Sequence, residues 1–264
     1  MIGFIGLGSQ GGPMAHRIAD AGMPLVVWAR RPEALEPFRA KGALVAGSVA
    51  ELGAQCDHVG ICVVNDADVL QICADLIPAM KPGGVIAIHS TILPDTCAAL
   101  EQQCGERGLR LVDAPVSGGG PGAEAGTLTV MCGATQQAFD AALPVLQTFG
   151  KLIVLLGEAG AGQRAKIINN SLMAANMGLA HAAFSAGDAM GIDRKALAEL
   201  VRESSGRSFG FEVYARLPTP QAFSVGAPML TKDVGLLQTV MPDEWGARAL
   251  HTAAKPFLDA ANGK

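Results

Sequence analysis

Charge is sparse in this chain. Only 17% of its residues are Asp, Glu, Lys or Arg, the net charge is −4, and the sequence pI is near 5.7. A slightly acidic balance excludes the basic footprint needed by nucleic-acid or anionic-membrane binders. With 50% hydrophobic residues the chain can bury a large core, which excludes a disordered protein. The six cysteines, Cys56, Cys62, Cys73, Cys97, Cys104 and Cys132, form no C-x-x-C pair and no Cys/His set with zinc spacing, so no metal site is expected and the thiols read as reduced. "MIGFIGLGSQ" has no basic segment leading into an apolar one, so no secretory leader is expected. Apolar runs are broken by Gly and polar residues before they reach membrane-spanning length. These absences point to a cytoplasmic protein. Aromatics are few, at 5%, and 33 glycines suit tight helix–strand packing and close approach of backbone to a ligand.

The chain's 264 residues suggest two domains. Up to about residue 158, short apolar runs alternate with helical stretches. Strands are expected at 2–6, 24–30, weakly 43–48, 58–64, 84–90, 109–116, 127–133 and 151–157. Such alternation predicts an α/β domain with a parallel, doubly wound sheet covered on both faces. Thereafter the strand signal stops, and helices are expected at 161–190, 193–204, 208–217, 230–241 and 243–262. The expected organisation is a Rossmann domain over 1–159 and an all-helical domain over 160–264, which opens with a long helix and carries substrate and subunit contacts.

"GLGSQG" places Gly6, Gly8 and Gly11 in G-x-G-x-x-G spacing, after a strand and at the head of a helix. Gly6 permits the tight turn, Gly8 lets a pyrophosphate approach the backbone, and Gly11 lets helix pack on strand. Leu7, Ser9 and Gln10 complete the turn, and the helix N-terminus supplies N–H groups for phosphate. A mere tight turn is the alternative. Where the second strand ends, "VVWARRP" lacks the acidic residue that would hold a ribose 2′-hydroxyl and has Arg30 and Arg31 instead. Two cations favour NADP, with NAD possible. The alternatives are solvated arginines, or Arg30 stacked on adenine.

"DAPVSGGGPGAEAGTLTVMCG" (113–133) follows a strand with Ser117, Gly118 and Gly119, a hydroxyl beside consecutive backbone N–H groups. That arrangement suits a carboxylate, with a flexible linker as the alternative. With "GFIGLGSQGGPMA", "STILP" at 90–94, "GAGQRAKIINN" at 160–170 and "TKD" at 231–233, it makes the chain resemble the β-hydroxyacid dehydrogenase family over nearly its whole length. That family includes 3-hydroxyisobutyrate dehydrogenase and tartronate semialdehyde reductase. The resemblance implies that Lys166 is the catalytic lysine, that Asn170 contacts substrate and that Ser117–Gly119 hold its carboxylate. It also implies that Thr91 and Lys232 contact cofactor. Val63 and Val64 stand where the family usually has a Met-Leu-Pro run over the cofactor. His89 falls beside the site as a space-filling or supporting residue.

Lys166 and Asn170 are i and i+4, so a helix places both on one face, expected to line an interdomain cleft. Alcohol oxidation by hydride transfer releases a proton, and a lysine among apolar neighbours can accept it near neutrality. The expected function is interconversion of a small 3-hydroxy acid and its semialdehyde or keto acid, by a homodimer or homotetramer. The substituent pocket is expected among the C-terminal helices, with Phe209, Phe211, Tyr214 and Phe223 as its lining or, alternatively, as packing between helices or subunits. His181 reads as a packing residue, and His16, His58 and His251 as surface or element-end residues. A 6-phosphogluconate dehydrogenase-type decarboxylase is disfavoured because Gln163 and Asn169 stand where that type has histidines. An imine reductase-like enzyme is disfavoured by Lys166. A non-catalytic NADP-binding interaction module is disfavoured because the lysine and the Ser-Gly-Gly loop are both intact.

Overall fold

The computed structural model describes all residues, Met1–Lys264. The chain forms two compact units, Met1–Lys166 and Ile167–Lys264.

In the first unit, β1 (Ile2–Ile5), β2 (Leu25–Trp28), β3 (Leu44–Val45), β4 (His58–Ile61), β5 (Val85–Ile88) and β6 (Arg110–Asp113) form an all-parallel sheet in the order β3-β2-β1-β4-β5-β6. Successive strand residues point to opposite faces, and both faces are apolar. Ile5, Val26, Val59, Ile61, Ile86 and Ile88 pack on one side. Phe4, Val27, Val85 and Val112 pack on the other. This is why the strands read as unbroken apolar runs. On the first face, α3 (Val49–Gln55), α4 (Asp66–Ala79) and α5 (Pro94–Glu106) supply Leu52, Ile72, Leu76 and Leu100. On the second, α1 (Gly11–Asp20), α2 (Glu36–Arg39) and α7 (Gln136–Leu146) supply Met14, Ile18, Phe38 and Leu146. The short α6 (Gly119–Ala125) contributes Ala123 to that same face. Helix starts are set locally: Ser48, Asn65 and Thr135 each accept a backbone N–H from the first turn of α3, α4 and α7.

The strand expected over 109–116 is two strands. β6 ends at Asp113, Pro115 intervenes, and β7 (Val116–Ser117) joins a separate sheet in the order β7-β8-β9 with β8 (Leu128–Cys132) and β9 (Gly150–Leu155). β7 is antiparallel to β8, and β9 parallel to it. Proline has no N–H for a ladder, which marks the break. The 43–48 strand shrinks to Leu44–Val45, and Gly119 begins α6 rather than extending a loop.

α8 (Ala161–Ala189) begins in the first unit and continues into the second. α9 (Arg194–Arg202), α10 (Phe209–Ala215), a 3-10 turn (Pro220–Phe223), α11 (Ala227–Val240) and α12 (Trp245–Ala261) follow, with no strand. Their core holds Phe184, Phe211, Tyr214 and Phe257 with Met177, Val234 and Leu258. Phe211 and Tyr214 are therefore spent on packing, and Phe223 packs against Phe257, while Phe209 is 72% exposed. Of the two expectations for these aromatics, packing between helices describes Phe211, Tyr214 and Phe223. No helix is long and apolar enough to cross a membrane.

Candidate active site

Strand order reverses between β1 and β4, so their carboxyl ends open a crevice. A groove of about 200 Å³ lies there, lined by Gly6, Leu7 and Gly8, by Arg30 and Arg31 after β2, and by Val63 and Val64 after β4. Each glycine of the turn has its own reason. Gly6 has φ +94°, and a Cβ there would meet the Cys62 carbonyl oxygen at 2.1 Å. A Cβ on Gly11 would meet the Gly6 carbonyl oxygen at 2.0 Å. At Gly8 a Cβ would meet nothing within 4 Å, so this residue faces the open groove. A bare backbone, open space above it and a helix N-terminus behind it at Gly11 fit a dinucleotide pyrophosphate.

The two arginines differ. Arg30 Nη2 bonds Asp68 Oδ1 at 2.6 Å, whereas Arg31 is exposed, its nearest carboxylate being Glu33 at 4.0 Å. Asp68 sits in the first turn of α4 and lines the same groove. Sequence reasoning missed it because the partner lies 38 residues away.

The Ser-Gly-Gly loop lies against the phosphate turn. Gly118 and Gly119 have φ of +130° and +63°, and a Cβ on Gly120 would stand 2.8 Å from the Ser9 carbonyl oxygen. Only glycine takes this path without strain. Ser117 is half-buried at the end of β7, paired in register with Thr129, and Gly118 and Gly119 are exposed beyond it. The loop thus presents a hydroxyl and exposed backbone.

Lys166 is 8% exposed in the second turn of α8. The start of that helix is held by Asp113, which is fully buried at the end of β6. Its Oδ1 accepts the Gly160 N–H at 2.7 Å and its Oδ2 the Gln163 N–H at 2.8 Å. A carboxylate on free helical N–H groups is a strong N-terminal cap. Burial nevertheless raises its pKa to about 6, with these hydrogen bonds acting in the opposite direction. An aspartate closing an apolar strand was the available signal for this role. Thr91 is half-buried between Ser90 and Ile92, both of which bond Gln163.

In the second unit, Asn170 lies one turn beyond Lys166 along α8. Its Nδ2 donates to Asp233 Oδ2 at 2.6 Å, and Lys232 Nζ is 3.0 Å from Asp233 Oδ1. Asp233 is 5% exposed and joins Asn170 to Lys232, a link that the "TKD" string alone does not disclose.

The histidines supply structure. His89 stacks on Phe4, meets Phe149 edge-on, and its Nδ1 is 2.9 Å from the Ala114 carbonyl oxygen. His181 Nδ1 is 2.7 Å from the Tyr214 hydroxyl. His16 stacks on Phe38. His58 is an element-end residue rather than a surface one: it begins β4, is 4% exposed, and neither ring nitrogen has a partner. Burial lowers the pKa of His58 to about 3 and that of His89 to about 4. All six cysteines are free, and burial raises each thiol above its usual range. No group of His, Cys, Asp and Glu side chains could hold a metal ion.

Residues 1–157 match the family of the NAD binding domain of 6-phosphogluconate dehydrogenase. Residues 160–261 match the family described as NAD-binding of NADP-dependent 3-hydroxyisobutyrate dehydrogenase. The chain is 37% identical to NAD-dependent L-serine dehydrogenase of Pseudomonas aeruginosa, over 90% of this chain and 84% of that protein. It is 34% identical to mitochondrial 3-hydroxyisobutyrate dehydrogenase of Drosophila melanogaster, over 90% and 77% respectively. The solved 3-hydroxyisobutyrate dehydrogenase of Mycobacterium tuberculosis with L-serine superposes with a TM-score of 0.86 at 27% identity, covering 99% of this chain and 94% of that one. The chain belongs to the β-hydroxyacid dehydrogenase family, the NAD(P)-binding oxidoreductases built from a Rossmann domain followed by a helical one.

Proposed function

We propose that the protein interconverts a small 3-hydroxy acid and its semialdehyde or keto acid, with Lys166 as general acid and base. The observation that carries this reading is a buried lysine, one helical turn from Asn170, on a helix whose start is anchored to the strand leading into the Ser117–Gly119 loop. The bound nicotinamide would supply the hydride acceptor for oxidation and the donor for reduction. Ser117, Gly118 and Gly119 hold the substrate carboxylate, and Asn170 orients the hydroxyl. Lys166, uncharged, takes the hydroxyl proton as the carbon–hydrogen bond breaks, and in the reverse direction its ammonium protonates the forming alkoxide. The residues bordering the groove, Gly6 to Gly11, Arg30, Arg31, Val63 and Val64, hold the dinucleotide, with Thr91 and Lys232 nearer its reactive end. Exposed Arg31 supports NADP as the preferred cofactor. The NAD dependence in the name of the L-serine dehydrogenase keeps NAD as the second choice.

The substrate class follows from the loop's chemistry and from the relatives. 3-Hydroxyisobutyrate and L-serine, named among them, both carry a carboxylate and a β-hydroxyl. The domain roles follow: 1–159 binds dinucleotide, and 160–264 carries substrate and subunit contacts. Ile168, Leu172 and Leu179, each at least half exposed along α8, support a homodimer or homotetramer. Six free thiols support the cytoplasm. The test is absorbance of reduced nicotinamide with a panel of 3-hydroxy acids and each cofactor. Turnover of at least one acid is expected; silence across the panel despite tight NADPH binding would favour a non-catalytic binding module.

A further inference from the structure

Gln163 is fully buried, and both ends of its amide are in use. Its Oε1 accepts the Ile92 N–H at 3.0 Å, and its Nε2 donates to the Ser90 carbonyl oxygen at 2.9 Å. The amide therefore grips the chain on either side of Thr91. Its own N–H is held by Asp113 at 2.8 Å. Ser90 passes the connection on, its Oγ accepting the Val63 N–H at 2.8 Å, and Val63 lines the dinucleotide groove. A second carboxylate locks the far side of the same segment: Asp66 Oδ1 accepts the Leu93 N–H at 3.0 Å and the Thr96 hydroxyl at 2.6 Å. All of these groups lie within the first unit.

A helix adds about 1.5 Å of rise per residue, so Lys166 leaves α8 about 4.5 Å along the axis from Gln163 and near the same face. Rotation or sliding of the first turn would carry the Lys166 side chain with it. Asp113 and the close packing of Gly162 fix the helix start against β6 and β8, and the two-ended amide adds its tie to the 90–92 segment. An amide offers an acceptor and a donor side by side in its neutral, unprotonated form. A carboxylate would lose the bond to Ser90, and an apolar side chain would lose both.

We propose that Gln163 is a positioning residue for the reaction, setting Lys166 relative to the Val63 edge of the dinucleotide groove through the Ser90–Ile92 segment. The proposal rests on the reading of Lys166 as the proton-transfer group. A small displacement of a reacting group can lower turnover by about 100-fold.

The experiment compares full-length wild type, Lys166→Ala, Gln163→Leu and Gln163→Glu. The substrate is whichever of 3-hydroxyisobutyrate and L-serine the wild type oxidises. Thermal melting, NADPH affinity, kcat, KM and the pH profile of kcat/KM are measured. Lys166→Ala should abolish one limb of that profile. Gln163→Leu should lower kcat by roughly 10–100-fold, with a smaller loss of NADPH affinity through Thr91 and Val63, and displace the limb that Lys166→Ala abolishes. Gln163→Glu, which keeps the acceptor for Ile92 N–H, should fall between wild type and Gln163→Leu. A folded Gln163→Leu with wild-type kcat and an unmoved limb overturns the proposal. If that variant does not fold, wild-type kcat in Gln163→Glu overturns it, and failure of both to fold does so too, because a purely structural role would then suffice. Normal turnover in Lys166→Ala is a different failure, that of the Lys166 reading itself.

Discussion

Arg30 and Asp68 form an ion pair at the rim of the dinucleotide groove, Nη2 to Oδ1, with Gln71 Oε1 3.4 Å from the same nitrogen. The pair divides the labour of the two arginines that follow β2. A guanidinium hydrogen-bonded to a carboxylate at 2.6 Å attracts a 2′-phosphate less than one, like Arg31, whose carboxylate is exposed and 4.0 Å away. Arg31→Ala is therefore expected to weaken NADP⁺ by roughly 10–100-fold, the range for a charged hydrogen bond, and to leave NAD⁺ nearly unchanged. Asp68→Asn, which releases Arg30, should raise the NADP⁺/NAD⁺ ratio of kcat/KM several-fold. Measuring both ratios checks the pair, and a wild type that strongly prefers NAD⁺ would remove the basis for either change.

Replacing Lys166 by Ala or Met should reduce kcat by about 10²–10⁴-fold, the usual span for loss of a positioned acid/base group. NADPH affinity, measured by fluorescence titration, should hold, since Lys166 is not among the groove-lining residues. Near-normal turnover would sink the assignment.

The glycine turn separates folding from binding. Gly8→Ala should melt close to wild type, because its methyl meets nothing within 4 Å, yet should bind dinucleotide much more weakly. Gly6→Ala puts a methyl 2.1 Å from the Cys62 carbonyl carried by β4's end and should lose both stability and binding. Equal melting temperatures for the two variants would contradict this turn geometry.

His58 sets a pH dependence. Its pKa is lowered to about 3 in the folded protein against about 6.5 when unfolded, and His89 behaves likewise at about 4. The unfolded chain binds more protons below about pH 6.5, so stability is fullest above that pH and declines as pH falls toward the folded values. Asp113, raised to about 6, acts oppositely between about pH 4 and 6, but it is one group against two. His58→Leu should raise stability at pH 7 by about 1–3 kcal/mol, because it removes a buried ring with unpartnered nitrogens, and should flatten the decline on acidification. Urea midpoints at pH 5 and 7 measure both effects.

The parallel sheet and the run of helices were legible because buried strands and long helices print their periods directly into the sequence. The G-x-G-x-x-G turn and the Ser-Gly-Gly loop were legible because glycine marks backbone paths closed to other residues. What stayed hidden were partnerships at long range. Nothing near Arg30 in the chain names Asp68, and nothing in "GAGQRAK" says that its glutamine reaches Ser90 and Ile92. For His58 the choice between a surface and an element-end residue was not legible: it is the first residue of β4, and Val85 and Ile2 flank it in register, so it is buried. For the aromatics of the helical unit the sequence left pocket and packing both open, because an apolar segment suits either; Phe184, Phe211, Tyr214 and Phe257 fill the core.

The break at Pro115 also bears on the edges that the two sheets present. The large sheet is bounded on one side by β3 and the small sheet by β7, each only two residues long. Strands that short offer a neighbouring molecule almost no template for pairing. The end of β6 is occupied by the bridge between Asp113 and Gly133. The opposite edges are β6 and the six-residue β9, so the longest open edge in the fold lies along β9, where Leu152 is 55% exposed.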